Sequence, residues 1–352
     1  MTTSISLPTL GWKPFFQQQL SLEEWESSIP ARVIAQHRNQ LVMQSEHGDF
    51  SLPVTSSMPI ITVGDWLLVD SDNKFIRLLD RKSIFSRKAA GSKLDEQLIS
   101  ANVDTLFIVC SLNHDFNLSR IERYLTIANE AGVEIVIVLS KADCCDEPET
   151  YIQQVQALDP LLMVVAINGL DSLSTSQLAP WCKAGDTLAL LGSSGAGKST
   201  LVNTLLGGHE QTTGSIREDD SKGRHTTTSR SLHIIQDATI GTGGLLLDTP
   251  GMRELQLVAC EEGISTTFAD ITSLAEQCRF SDCQHNNEPG CQVQAAITEG
   301  TIDQRRLNNF LKLQREQAIN GASIAEKRAH GRELSKMYRS VQTESRRRKK
   351  GD

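Results

Sequence analysis

No stretch of the 352-residue chain stays apolar long enough to cross a bilayer. Runs such as Val133–Leu139 and Leu188–Leu191 fall far below the roughly 20 residues a spanning helix needs. The opening Met1-Thr-Thr-Ser-Ile-Ser has no basic segment followed by an apolar one, so no secretory signal is expected. Eight cysteines are spread thinly over the chain, which excludes a disulfide-dense scaffold and fits a reducing compartment. The expectation is a soluble, cytoplasmic, monomeric protein of two or three domains with no membrane partner.

Basic residues are in deficit overall, 35 against 43 acidic, for a net charge of −8. They are not in deficit everywhere. Residues 301–352 hold 14 Lys/Arg and 6 Asp/Glu, a balance of +8, so the remainder carries −16. The chain closes on Arg346-Arg-Arg-Lys-Lys350. A basic end on an acidic body suits a polyanion such as nucleic acid, or else is a solvated tail.

The strongest local signal is Leu188-Ala-Leu-Leu-Gly192-Ser193-Ser194-Gly195-Ala196-Gly197-Lys198-Ser199-Thr200. A short apolar strand runs into G-x-x-x-x-G-K-[ST] and then a helix. The glycines let successive N–H groups face one anion, and the helix N-terminus adds its dipole. Lys198 would reach the β/γ-phosphates and the Ser199 hydroxyl would ligate Mg²⁺.

Upstream, residues 1–30 show little pattern beyond Ser21-Leu-Glu-Glu-Trp25, which starts like a capped helix. Five short β-like runs follow, beginning at Arg32, Gln40, Asp49, Asp65 and Phe75. They suit a small OB-like β-barrel, a fold that binds oligonucleotides in some proteins and partners in others. Arg81–Ser100 reads as a polar, basic connector. Beyond it strands and helices alternate: strand 105–111, helix 118–131, strands 133–139 and 162–167 flanking helix 148–158, then strand 187–191 and helix 199–206. The near-continuous apolar strands predict a parallel sheet covered on both faces.

Ser140-Lys141-Ala142-Asp143 closes one of those strands. Asp143 can accept the N1–H and exocyclic amine of guanine, with the Lys141 stem along the base, or it can cap a helix. After a polar loop, 214–230, strands at 231–235 and 244–247 lead to Asp248-Thr-Pro-Gly251. Asp248 there can hold a Mg²⁺-bound water and Gly251 can donate its N–H to the terminal phosphate, or the four residues are a turn. Cys278, Cys283, His285 and Cys291 put three thiolates and an imidazole within 14 residues, a set suited to structural Zn²⁺. Helices are expected over 265–278 and 302–318.

Together these signals read as a GTPase with its motifs permuted: the base reader precedes the phosphate loop. The ordered set 140–143, 192–200, Gly223-Arg-His225-Thr226-Thr227-Thr228, 248–251 and the Cys/His cluster resembles the circularly permuted ribosome-associated GTPases, the bacterial small-ribosomal-subunit-dependent GTPase A family. The resemblance implies three domains: an N-terminal extension with an OB-like barrel (1–84), a circularly permuted P-loop α/β GTPase domain (85–262) and a helical zinc-binding domain with a basic tail (263–352). It implies GTP and GDP as ligands, Mg²⁺ with the nucleotide, one structural zinc on the four residues named, and the small ribosomal subunit with its rRNA as partner. The activity implied is subunit-stimulated GTP hydrolysis as a late checkpoint of subunit maturation. The alternative is a nucleotide-regulated rRNA-binding scaffold with little hydrolysis.

Two positions depart from common patterns. The base-reading motif of that family begins with Asn, where this chain has Ser140. Ras-like enzymes orient the attacking water with a Gln after D-x-x-G, where this chain has Met252, which cannot do so. His225, beside threonines able to ligate Mg²⁺ (Thr226 or Thr227), is the best candidate for that work, and the resemblance favours a catalytic histidine there. Read from the residues alone, the alternative is an exposed loop histidine.

Overall fold

The computed structural model describes residues 5–88, 96–113, 115–207, 230–235, 240, 243–248, 255, 257 and 260–321. The chain opens with two short helices, α1 (Pro14–Gln17) and α2 (Leu22–Ser27). Ser21 caps α2 in a capping box: its hydroxyl accepts from the Glu24 N–H while the Glu24 carboxylate accepts from the Ser21 N–H. This segment packs by aromatic edges. Trp12 meets Trp66 edge-on at 4.9 Å between centroids, and Leu10, Phe16, Trp66, Leu68 and Leu79 form a buried cluster.

Five strands follow as the alternation predicted: β1 (Ile29–Gln36), β2 (Gln40–Ser45), β3 (Gly48–Pro53), β4 (Trp66–Val69) and β5 (Phe75–Leu78). They pair antiparallel in the order β3-β2-β1-β4-β5. The stretch expected to be a connector contains structure instead. β6 (Ile84–Lys88) pairs antiparallel with β7 (Glu96–Ala101). Ile84, Phe85, Leu98 and Ile99 supply an apolar pattern that the surrounding charges obscure in the sequence, and Phe85 and Ile99 are buried.

The α/β part comprises β8 (Thr105–Ser111), α3 (Leu118–Ala131), β9 (Glu134–Ser140), α4 (Pro148–Gln156), β10 (Met163–Ile167), α5 (Ser172–Thr175), β11 (Thr187–Gly192), α6 (Lys198–Leu205), β12 (Arg230–Ile234) and β13 (Leu245–Asp248). The sheet order is β10-β9-β8-β11-β13-β12, parallel from β10 to β13. β12 is antiparallel to β13 and also pairs with β1, so the sheet continues into the N-terminal strands. The chain runs outward from β8 through β9 to β10, then returns to place β11 on the other side of β8. That reversal is a topological switch point, where open α/β sheets bind ligands.

The C-terminal part is helical: α7 (Glu261–Thr267), α8 (Ala269–Ala275), α9 (Gln292–Thr298) and α10 (Gln304–Gly321). The single helix expected over 265–278 is two helices that meet at Phe268, whose ring is fully buried against Phe310. Burial of that ring fixes the break. α7 lies close on α3 through Gly263, where a Cβ would sit 2.1 Å from the Thr126 carbonyl oxygen.

Charged groups lock α10 to α3. Glu122, fully buried on α3, accepts from Arg305 at 2.8 Å, Arg306 at 2.9 Å and Asn309 at 2.6 Å. Arg306 also makes a two-pronged contact with Asp270, and Arg123 pairs with Glu316 at 2.5 Å. No helix among the described residues is long and apolar enough to cross a membrane.

Candidate nucleotide site and metal centre

β11 delivers the phosphate loop to the switch point. Gly192 is the last residue of the strand, and a Cβ there would sit 2.3 Å from the Val109 carbonyl oxygen, so only glycine lets β11 and β8 approach. Gly195 and Gly197 take φ of +78° and +89°, the left-handed geometry that turns the backbone N–H groups inward. α6 begins at Lys198, so the positive end of its dipole lies against the same loop. The Lys198 ammonium is folded into the loop, donating to the Gly192 carbonyl at 2.6 Å and to the Ser193 carbonyl. A cation held on loop carbonyls can be handed to phosphate oxygens without moving the helix.

β9 brings Ser140–Asp143, the segment expected to read the base, to the same edge. Ser140 is buried, and its hydroxyl donates to the Ala196 carbonyl of the phosphate loop at 2.6 Å. The shorter side chain therefore still braces the loop. Lys141 adopts φ +59° and extends its ammonium to the Gly195 carbonyl at 2.9 Å. Asp143 lies inside a short 3₁₀ turn, Ala142–Cys144, that no side chain caps. Its carboxylate is exposed rather than spent on capping, and the Cys144 thiol lies 3.4 Å from it, which raises the thiol pKa. Asp248 ends β13 opposite Ser231, beside the strand that feeds the loop. Ser199 and Thr200 sit in the first turn of α6.

The four sulfur and nitrogen ligands converge in the C-terminal part. Cys278, Cys283, His285 and Cys291 offer donor atoms that all lie within 4.8 Å of one another. Cys278 Sγ is 3.9 Å from Cys291 Sγ and 3.7 Å from His285 Nδ1, and Cys291 Sγ is 3.5 Å from that nitrogen. Metal–sulfur bonds of about 2.3 Å in a tetrahedron give edges of about 3.8 Å, close to the separations of these three donors, with Cys283 within 4.8 Å of them. Cys291 also accepts the Gln294 N–H at the start of α9, which ties the cluster to that helix. The group can hold a metal ion.

The sequence model of the RsgA GTPase family matches residues 78–258. A small ribosomal subunit biogenesis GTPase RsgA 2 of Vibrio parahaemolyticus is 60% identical over 348 residues, covering 99% of this chain and 96% of the relative. The chain belongs to the RsgA GTPase family. Its fold is similar to two solved structures. YjeQ from Thermotoga maritima aligns over 81% of this chain and 97% of that one, with TM-score 0.60 at 23% identity. YloQ, a circularly permuted GTPase, aligns over 82% and 94%, with TM-score 0.57 at 20% identity. The permuted order of the RsgA GTPase fold is thus present in this chain, and GTP hydrolysis is the family's chemistry.

Of the residues expected to form the RsgA nucleotide site, 140–143, 192–200 and Asp248 stand at one edge of the sheet. His225, Thr226, Thr227 and Gly251 lie outside the described residues, as does the basic tail. Two features at this edge were not read from sequence. Asp115, in the loop after β8, accepts from the Ser193 hydroxyl at 2.5 Å and from Arg120 at 2.7 Å. The Arg120 guanidinium, helped by Ser193, holds this carboxyl below its ordinary range. Asn168-Gly169 follows β10, and the Gly169 carbonyl accepts from Thr204 of α6 at 2.7 Å. Strand-end position was the only available signal for either, since neither has a distinctive spacing.

Proposed function

We propose that this protein is a GTPase checkpoint of small-ribosomal-subunit maturation: it binds the subunit and its rRNA with GTP, and hydrolysis releases it. The observation that carries the reading is the meeting of the phosphate loop and the Ser140–Asp143 segment at one sheet edge, bridged by Ser140 to Ala196. Asp143 reads guanine through its exposed carboxylate, and Lys141 lies along the base. Backbone N–H groups of residues 193–198 and the Lys198 ammonium hold the phosphates. The relative from Vibrio parahaemolyticus carries the small-subunit name, which supports the partner.

Hard oxygen donors suit Mg²⁺: Ser199 and Thr226 or Thr227 directly, and Asp248 through a water. Bound there, Mg²⁺ would neutralise charge on the terminal phosphates. With Met252 after D-x-x-G, His225 orients the attacking water, and turnover is slow until the subunit completes the site. Three thiolates and one imidazole suit Zn²⁺ with no open position, so the zinc is structural. The first five strands serve as an OB-like barrel, and the three domains divide at about residues 84 and 262. The protein acts as a cytoplasmic monomer.

Displacement of a fluorescent GDP tests the nucleotide assignment. GTP and GDP compete and ATP does not, and Asp143→Asn narrows the difference. Equal competition by ATP in the wild type overturns the role of Asp143.

A further inference from the structure

The phosphate loop and the C-terminal lobe both engage the N-terminal end of one helix, α3, and the loop that leads into it. Its leading loop supplies Asp115, whose Oδ2 accepts both the Ser193 hydroxyl at 2.5 Å and Arg120 of the first turn at 2.7 Å. Two residues after Arg120, Glu122 accepts from Arg305, Arg306 and Asn309 of α10, and Arg123 donates to Glu316. α3 is a 14-residue helix with Asn117 capping its start and Gly132 closing its end. Ile121, Leu125 and Ala128 are buried in its core-facing stripe. Capped at both ends and packed along one face, α3 is one continuous element that both contacts share.

Ser193 is where two events meet. Its carbonyl accepts from Lys198, and its hydroxyl is held by Asp115. Lys198 must leave loop carbonyls to bind phosphate oxygens, so nucleotide entry changes the bonding of the residue that Asp115 grips. We infer that Asp115 is a positioning residue that fixes the phosphate loop to α3, and that α3 carries the loop's occupancy to α10. The inference rests on residues 192–200 being the phosphate loop. It gives the C-terminal lobe a link to the phosphate loop that runs through α3.

The relay is physical because each joint is a short charged hydrogen bond. Glu122 and Arg306 are both buried, so their joint cannot slip without uncovering a charge. Arg123–Glu316 adds a second tether further along α10. Asp115 itself is only partly covered, so its replacement removes a link without opening a core cavity.

The test is amide hydrogen exchange of the full-length protein with and without GDP, beside a fluorescent-GDP titration that measures binding separately. In the wild type GDP changes exchange in residues 304–321 by about five-fold, the lower end of ordinary site-to-site coupling. In Asp115→Ala, GDP still binds at saturating concentration and the change in 304–321 disappears. Asp115→Asn restores it, because both donors converge on one oxygen and an amide oxygen accepts both. A merely structural role would not give that pattern of loss and rescue. An unchanged response in Asp115→Ala overturns the relay, and so does a wild type that binds GDP without any response in 304–321. Failure of the wild type to bind GDP overturns the phosphate-loop assignment instead.

Discussion

The Ser140 hydroxyl donates to the Ala196 carbonyl at 2.6 Å, joining the end of β9 to the phosphate loop. The segments proposed to read the base and to bind the phosphates are therefore joined to each other without nucleotide. The bond is buried, with Ser140 4% exposed, so its loss leaves a carbonyl unsatisfied. Ser140→Ala is expected to weaken GTP and GDP binding alike by about 2- to 12-fold, the worth of one such bond. Selectivity against ATP stays, because Asp143 carries it. Titration of both guanine nucleotides and ATP against the variant checks this, and loss of selectivity with unchanged GDP affinity would assign the bond a different role.

Glu122 is the buried anchor between α3 and α10. Removing it leaves Arg306 buried with Asp270 as its remaining carboxylate partner and strips Asn309 of an acceptor. Glu122→Ala is expected to destabilise the protein by about 3–5 kcal/mol, the usual result of breaking a buried charge pair from one side. Glu122→Gln, which keeps the shape and an acceptor oxygen, falls between. Denaturant melts of the two variants give the order directly; equal stability of Glu122→Ala and wild type refutes the anchor.

Glu24 links α2 to β5 through Arg77 at 2.7 Å. The Arg77 guanidinium, with the Ser21 N–H, holds the Glu24 carboxyl down at about 2. A folded-state pKa below the unfolded value gives stability that is present above about pH 4.5 and lost as pH falls through about 2. Arg77→Met therefore raises the Glu24 pKa toward its ordinary value and moves the acid detachment of α2 to higher pH. Carbon-detected NMR titration of the Glu24 carboxyl reads both. A Glu24 pKa unmoved by the substitution would show that the capping box alone sets it.

Removal of the metal should unfold the C-terminal Cys/His segment. The four donors span residues 278–291, and Cys291 also accepts from the first turn of α9. A chelator is expected to release about one zinc per chain and to lower helical signal, and Cys283→Ser should bind less than one equivalent. Elemental analysis beside circular dichroism measures both. Metal-free protein with unchanged helicity would leave the cluster without a structural role.

Much of this was legible in the sequence because the signals are local. The Gly192–Thr200 spacing, the apolar runs of β8 and β9, the Ser21 capping box and the Cys/His spacing each depend on a few adjacent residues. What was hidden depends on distant ones. Phe85 and Ile99 make the β6–β7 hairpin only because each buries against residues far along the chain. The break at Phe268 comes from Phe310, and the weight of Glu122 comes from Arg305, Arg306 and Asn309, nearly 190 residues away. Asp115 reads as a loop residue until the fold sets it beside Ser193.

The proposed GTPase has a turnover that answers to the small ribosomal subunit. Measuring phosphate release from GTP with and without purified small subunits, with ATP as control, tests it most directly. Slow GTP turnover that rises many-fold with subunits, and no comparable ATP turnover, is the predicted result. GTP turnover that is unchanged by subunits, or matched by ATP, would contradict it and favour a nucleotide-regulated rRNA scaffold or an adenine-using enzyme.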